Sequence, residues 1–493
     1  MRRKLPIFYS ALMLTGVNLL LRFVGTSFQV YISRKIGAAG VGLLQLVMSV
    51  GMLAMTAATA GIRTGTMYLT AEELGRGRPG SVKWVLSGCF TYSIICSGAI
   101  CLGLYCFAPT IAQHWIGDVR TLGALRLFAS FLPVSCLCGV MTGYFTAANR
   151  IGTLAAVEVA EQLCSMAATF LLLNFRAGSD PARACQAVVA GSGLSACLTL
   201  SCLIFLRLRE DPPAGPRLPV AGRLFQAAVP LAVADDLKAG ISTAENLMVP
   251  RRLALYPGLH NPLAAFGMLS GMVFPILMFP AAILFALAEL LIPELARCAA
   301  AGSRTRIRYL VRRSLRLAFV YGCLFGALMF TLAEPLCLKL YQNQEAGQLL
   351  RTYALLIPML YCDAITDAMT KGLGQQKACV RYNILTSSMD VALLFLLLPR
   401  YGLWGYFLSF LVTHLLNFLL SLRRLLKISG CRINFSVPIL AISAVLAAVT
   451  LAGFVPGAAL QTAVCLVSVI SLLILTGVIR KEDSAWLMGL LKG

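Results

Sequence analysis

Leu125-Arg-Leu-Phe-Ala-Ser-Phe-Leu-Pro133 returns 225 residues later (125 to 350) as Leu350-Arg-Thr-Tyr-Ala-Leu-Leu-Ile-Pro358, with Leu, Arg, Ala and Pro in register. The same offset, without a gap, sets Gly42 on Gly267, Leu44 on Leu269 and Phe170-Leu-Leu-Leu173 on Phe395-Leu-Leu-Leu398. The chain therefore contains one unit twice. Each copy holds six apolar stretches of about 20 residues, the length an α-helix needs to cross ~30 Å of hydrocarbon. Six is even, so both copies enter the membrane from the same side, and a pseudo-twofold along the membrane normal is expected.

Worked outward from that match, the spans fall near 7–32, 41–70, 83–109, 122–146, 151–174 and 184–206 in the first copy. Those of the second fall near 223–248, 263–288, 308–333, 348–370, 379–399 and 402–422, and two more, 434–455 and 458–479, lie outside the repeat. The expected fold is all-α: a polytopic membrane protein of about fourteen transmembrane helices, two parallel six-helix repeats plus two C-terminal helices. Its parts are an N-lobe over 1–207, a Pro-rich and charged cytosolic linker over 208–221, a C-lobe over 222–430, and a last helix pair with tail over 431–493. Arg63 interrupts the second span, and Pro275 and Pro280 the eighth, so neither is expected to be one straight helix; twelve or thirteen spans also fit.

Composition agrees. Of 493 residues, 59% are hydrophobic and 13% charged, which lies outside the soluble class. The net charge of +22 would suit a nucleic-acid partner if the 42 Lys and Arg residues formed a patch. Instead most sit in alternate loops, as with Arg2, Arg3 and Lys4, the run from Arg304 to Arg316, and Arg423 with Arg424. That bias reads as topology, placing both termini in the cytosol of a bacterial cytoplasmic membrane, and implies no nucleic acid. The basic start precedes an apolar run too long for a cleaved secretory signal, so it reads as an uncleaved first span.

The 17 cysteines lie mostly within spans, where a thiol is a small apolar group, and no disulfide framework follows. Cys136-Leu-Cys138 lacks metal-site spacing, and His114, His260 and His414 are far apart, so neither metal nor cofactor is expected. Gly372-Leu-Gly-Gln-Gln-Lys377 is not a phosphate-binding loop, and His-Glu-x-x-His and Gly-x-Ser-x-Gly are missing. The chain does not read as an enzyme.

Polar groups at membrane depth cost several kcal/mol unless they face a cavity or a partner. Thr15, Asn18, Arg22 and Gln29 share one face of the first span, and Gln45, Ser49, Thr56, Thr59 and Arg63 form a stripe on the second. Asp235, Lys238, Ser242 and Glu245 do the same on the seventh, with Asp236 beside them. Arg22, Asn18, Gln29, Arg63, Thr59, Lys238 and Asp235 are accordingly the candidate substrate-binding residues. Blander readings stand beside this one: Asp235 and Lys238 as an i,i+3 pair, Arg63 snorkelling to the interface, and Arg22 in a structural pair between helices. Asp363, Asp367 and Asp390 are candidates for coupling to H⁺ or Na⁺, or else a structural set close to Lys371, Lys377 and Arg381.

Ile36-Gly-Ala-Ala-Gly-Val-Gly-Leu-Leu-Gln45, Ala60-Gly-Ile62, Thr70-Ala-Glu72, Leu291-Ile-Pro-Glu-Leu-Ala296, Gly372-Leu-Gly-Gln-Gln-Lys377 and Tyr401-Gly-Leu-Trp-Gly405 occur in that order. With them the sequence resembles the multidrug/oligosaccharidyl-lipid/polysaccharide (MOP) exporter superfamily, in its stage V sporulation protein B-like branch. The resemblance implies fourteen spans in two lobes and alternating access for a lipid-linked saccharide. It also implies that Arg22 matches an arginine that related lipid II flippases use in a central cavity, and that the last two spans supply a groove for the lipid tail. The pattern departs at Phe28, where those flippases carry a second basic residue, and at Arg63, where Gly-Ile-Pro is usual.

The leading expectation is a flippase for a polyprenyl-diphosphate saccharide or other cell-envelope precursor. Its partners would be that lipid, the membrane, H⁺ or Na⁺, and envelope-synthesis enzymes. A cation-coupled multidrug exporter and a non-transporting scaffold for envelope synthesis are the alternatives.

Overall fold

The computed structural model describes residues 7–59, 61–177, 180–209, 216, 221–431 and 436–478. Most of the expected linker 208–221 and the tail beyond residue 478 lie outside the described residues. Among these, all regular structure is helical: α1 Ile7–Thr59, α2 Ile62–Gly75, α3 Val82–Thr110, α4 Leu122–Ala147, α5 Ile151–Leu172, α6 Pro181–Leu208 and α7 Ala221–Leu253. There follow α8 Pro262–Met268, α9 Phe274–Met278, α10 Ala281–Ala300, α11 Arg304–Tyr341, α12 Gln344–Ala354, α13 Ile357–Gly372, α14 Gln376–Tyr401, α15 Leu403–Ser429, α16 Ser436–Gly453 and α17 Ala458–Leu475.

Ten helices are long and apolar enough to cross a membrane, and twelve if each of two bent pairs is one span. The run Leu19–Gly75 counts once, although α1 breaks at Gly37 (φ 73°, ψ 172°) and a left-handed Gly61 (φ 71°) separates it from α2. α7, which carries Asp235, Asp236, Lys238 and Glu245, is not among the ten. Length and hydropathy alone thus do not reach fourteen.

The repeat is visible in the backbone. Left-handed residues end or link helices at Gly77 and Gly302, at Gly117 and Gln342, and at Asn149 and Gly374, each pair 225 residues apart. A left-handed turn is a discrete stop, so its recurrence on one diagonal means the helix boundaries recur as well.

The chain divides into two compact units. The first comprises Met1–Leu21 with Lys35–Arg251. In it α4 packs on α2, α3 and α6, and α5 on α6. Ile62, Leu69, Val85, Val140, Met141 and Phe145 fill its core. α2 and α4 touch closely at Gly143, where an added Cβ would stand 2.5 Å from the Arg63 carbonyl oxygen. An ion lattice ties α7 to α2: Arg223 meets both Glu72 and Glu73, and Arg76 bridges the same two carboxylates.

The second unit comprises Arg22–Arg34 with Arg252–Gly493. In it α11 packs on α12, α13, α16 and α17, while α13 packs on α10 and α15. Ala441, Ala444, Ala448 and Ala452 make one face of α16 small, and it seats on α11 and α17. The expected break near Pro280 is present: the run Pro262–Met278 bends by 62° into α10. Backbone freed at such a break must be satisfied by protein. Three tyrosine hydroxyls do this, Tyr321 donating to the Pro280 carbonyl (2.8 Å), Tyr361 to Leu277 (3.0 Å) and Tyr341 to Met272 (3.3 Å).

A second bend, 58° between α12 and α13, was not foreshadowed. It falls just before Pro358, whereas its repeat mate Pro133 lies inside an unbroken α4. Proline alone does not decide. At Gly322 on α11 an added Cβ would lie 2.6 Å from the Pro358 Cα, and the repeat position on α3 is Ser97, whose side chain excludes that approach.

Candidate substrate and ion sites

In the first unit, Thr59 donates to the Met55 carbonyl (2.6 Å) and lies 3.9 Å from the Cys136 sulfur, close to the break at Gly61. Arg63 is exposed in the first turn of α2. On α7, Asp235 and Lys238 are both exposed and do not pair with each other within 4.0 Å. Asp236 turns towards α1 beside Thr56, with Oδ1 buried and without a hydrogen-bond partner. Thr243 anchors the same helix, donating to the Ser49 carbonyl at 3.0 Å.

The part of α1 that belongs to the second unit carries Arg22 and Gln29. The Arg22 guanidinium lies over the Phe285 ring, 4.7 Å from its centroid, and its side chain is exposed. A cation on a ring face keeps its in-plane donors available to an anion. Gln29 has a buried Nε2 with no hydrogen-bond partner. The Asn18 side chain lies outside the described residues.

Two of the three acids of α13 and α14, Asp363 and Asp390, are tied into a ladder by α15. Asp363 accepts from Asn417 Nδ2, 3.2 Å from each carboxylate oxygen. Asp390 accepts from Ser409 (2.6 Å) and Thr413 (3.1 Å). Asp367, one turn beyond Asp363, holds Lys371 at 2.6 Å and keeps a buried, unpartnered Oδ1. Ser409, Thr413 and Asn417 recur every four residues on one buried face of α15, a spacing readable in the sequence and missed there. Glu158 and Glu161 on α5 were likewise overlooked, although two acids three apart in an apolar helix are a plain signal. Glu161 sits beside Thr199 of α6, and Ser195 donates to its backbone carbonyl at 2.7 Å.

The second unit also contains a groove of ≈1480 Å³ between α11, α13, α15 and α16, exceeding the roughly 300–1,000 Å³ of a small-molecule pocket. Its wall along α11 begins with Arg308, Arg312 and Arg316 and continues as Phe319, Cys323 and Phe330. These steps of three, four and seven lie on one helical face, which changes from cationic to apolar along its length.

A profile for the family described as MatE matches twice, over residues 14–177 and 259–396. The chain belongs to the MatE family. It is thus a multi-pass membrane protein and a transporter of the MOP superfamily. A relative, stage V sporulation protein B of Bacillus subtilis (strain 168), is 22% identical over 480 residues, covering 91% of this chain and 88% of that one. Among solved structures, lipid II flippase MurJ in an inward closed conformation matches with TM-score 0.72 at 12% identity, covering 96% of this chain and all of MurJ. An inward-facing multidrug resistance MATE family transporter matches with TM-score 0.65 at 13% identity, covering 84% and 99%. At these identities the MatE-type fold is shared, and the particular cargo is a separate question.

Proposed function

We propose that the chain flips a polyprenyl-diphosphate saccharide, or a like cell-envelope precursor, between the leaflets of the bacterial cytoplasmic membrane by alternating access. In this reading fourteen spans form two six-helix lobes, 1–207 and 222–430, with both termini cytosolic and α16 and α17 appended. One observation carries the proposal: the groove on α11 has the size and apolar lining for a lipid chain and begins in arginines suited to phosphate. Arg22, Arg63 and Lys238 supply cations for the diphosphate, and Asn18, Gln29, Thr59 and Asp235 supply hydrogen bonds to the saccharide. Asp363, Asp367 and Asp390 take up the coupling H⁺ or Na⁺.

The test is reconstitution in vesicles with a fluorescent polyprenyl-diphosphate disaccharide, following its exposure on the outer leaflet. Arg22→Ala should slow flipping at least tenfold, since a charge-assisted hydrogen bond contributes about 1.5–3 kcal/mol. Wild-type flipping by that variant would remove Arg22 from the mechanism, and no flipping by the native chain would overturn the reading.

A second reading, a cation-coupled multidrug exporter, draws on the acid ladder of the second unit and on the unpaired Asp236 oxygen. Stabilisation by organic cations that is lost in Asp236→Asn would favour it over the flippase.

A further inference from the structure

The arginines at the start of α11 do not all serve one purpose. Arg306 is neutralised by Glu294 of α10 at 2.7 Å. Arg316 donates to the carbonyls of Gly477 and Val478, closing the end of α17. Arg308 uses its Nε on the Ser429 carbonyl (3.3 Å), which leaves its terminal nitrogens for another acceptor. Arg312 is exposed on the same face one turn on. No carboxylate lines the groove among the described residues, and Arg308 and Arg312 are both exposed there.

Length then limits the occupant. From Arg308 to Phe330 the groove follows α11 for about 33 Å at 1.5 Å per residue, roughly the full ~30 Å of hydrocarbon. An ordinary acyl chain reaches across one leaflet, about half of that. Past Arg316 the wall is apolar, with Phe319, Cys323 and Phe330 on α11 facing Leu419 and Leu446 of α15 and α16. A phosphate at one end of a channel longer than a leaflet describes a long-chain lipid phosphate.

We propose that Arg308 and Arg312 form a phosphate-loading site for a polyprenyl phosphate or diphosphate lipid, which the second unit binds with its chain along the α11 groove. This rests on the flippase reading and deepens it: recognition of the phosphate begins at the groove mouth, separately from Arg22 and Arg63. Guanidinium groups one helical turn apart can each give two donors to a phosphate and are weakly hydrated, which suits a site at the membrane interface.

The experiment uses the full chain in nanodiscs of neutral phospholipid and measures binding of undecaprenyl phosphate, undecaprenol, dioleoyl phosphatidate and inorganic diphosphate. Undecaprenyl phosphate should bind at least about tenfold more tightly than undecaprenol, as expected of charge-assisted hydrogen bonds. The double variant Arg308→Gln, Arg312→Gln should erase that preference while undecaprenol still binds, and Arg312→Gln alone should reduce it. Arg304→Gln removes an equal charge from the same helix outside the groove lining and should leave the preference intact.

A preference that survives the double variant would overturn the proposal. So would equal competition by dioleoyl phosphatidate, which would make the site one for bilayer lipid, or by inorganic diphosphate, which would leave the groove without a part. Intact, arginine-dependent binding in a chain that flips nothing would instead support the loading site and overturn the flippase reading.

Discussion

Gln342 stands 225 residues after Gly117, and both are left-handed, with φ of 55° and 81°. Each closes a helix at the same point of the repeat, yet only one is the residue that tolerates this backbone without a steric penalty. Gln342→Gly should therefore stabilise the chain by up to about 1 kcal/mol, the relief being partly offset by the freedom that glycine gains when unfolded. Gly117→Ala should cost a similar amount, although 3.8 Å to the Arg251 side chain leaves room for its Cβ. Thermal unfolding in detergent reads both; a melting point that falls in the first and holds in the second would refute the strain.

A buried donor explains how the bent region of α8 to α10 survives in lipid. The Tyr361 hydroxyl gives the Leu277 carbonyl its hydrogen bond at 3.0 Å, and Tyr361 is 1% exposed. Tyr361→Phe removes the donor with little change of shape, leaving a carbonyl that water does not reach. A loss of about 1–3 kcal/mol is expected, with no direct effect on ligand binding. Tyr321→Phe, which leaves the Pro280 carbonyl only the Ile283 N–H at 3.4 Å, should cost less, and stability unchanged in both would mean that the break is satisfied by other groups.

Much of this architecture could be read from residue order, because helix length and the Arg126/Arg351 and Pro133/Pro358 spacing are one-dimensional quantities. The break at Pro280 could be anticipated for the same reason. The bend before Pro358 could not: it depends on Gly322 opposing it where the first repeat has Ser97, a fact about two helices at once. The arginines of α11 were counted for the side of the membrane they mark. Only packing separates Arg306, held by Glu294, from Arg308 and Arg312 on the groove. The α15 face was lost differently, since Ser409, Thr413 and Asn417 are uncharged and a search for ionisable groups passes over them.

The ladder that those residues make gives a test of coupling. Asp363→Asn preserves the size of the side chain beside Asn417 and removes its capacity to hold a proton or sodium ion. If the ladder couples transport, the variant keeps lipid binding but loses any acceleration from an imposed proton or sodium gradient. Asp390→Asn, against Ser409 and Thr413, should do the same. Gradient responses equal to the native chain in both would assign the ladder to packing.

In the first unit the joint between α2 and α7 depends on one side chain in two ion pairs. Arg223 contacts Glu72 and Glu73 together, and Glu73 is fully buried with an unpartnered Oε2, so the lattice has no spare donor. Arg76 remains on both carboxylates if Arg223 is lost, which limits the damage below the 3–5 kcal/mol typical of stripping a partner from a buried pair. Arg223→Ala should cost about 1–3 kcal/mol, more than a surface ion pair, whose worth is about 0–1 kcal/mol. Arg223→Lys restores the charge but not the planar fork that spans two carboxylates, so it should recover less than half of the loss. A cycle combining Arg223→Ala with Glu73→Gln measures the pairing itself. If the two effects simply add, the contact between the helices owes nothing to this lattice, and apolar packing around Ile62 and Leu224 holds α7 in place instead.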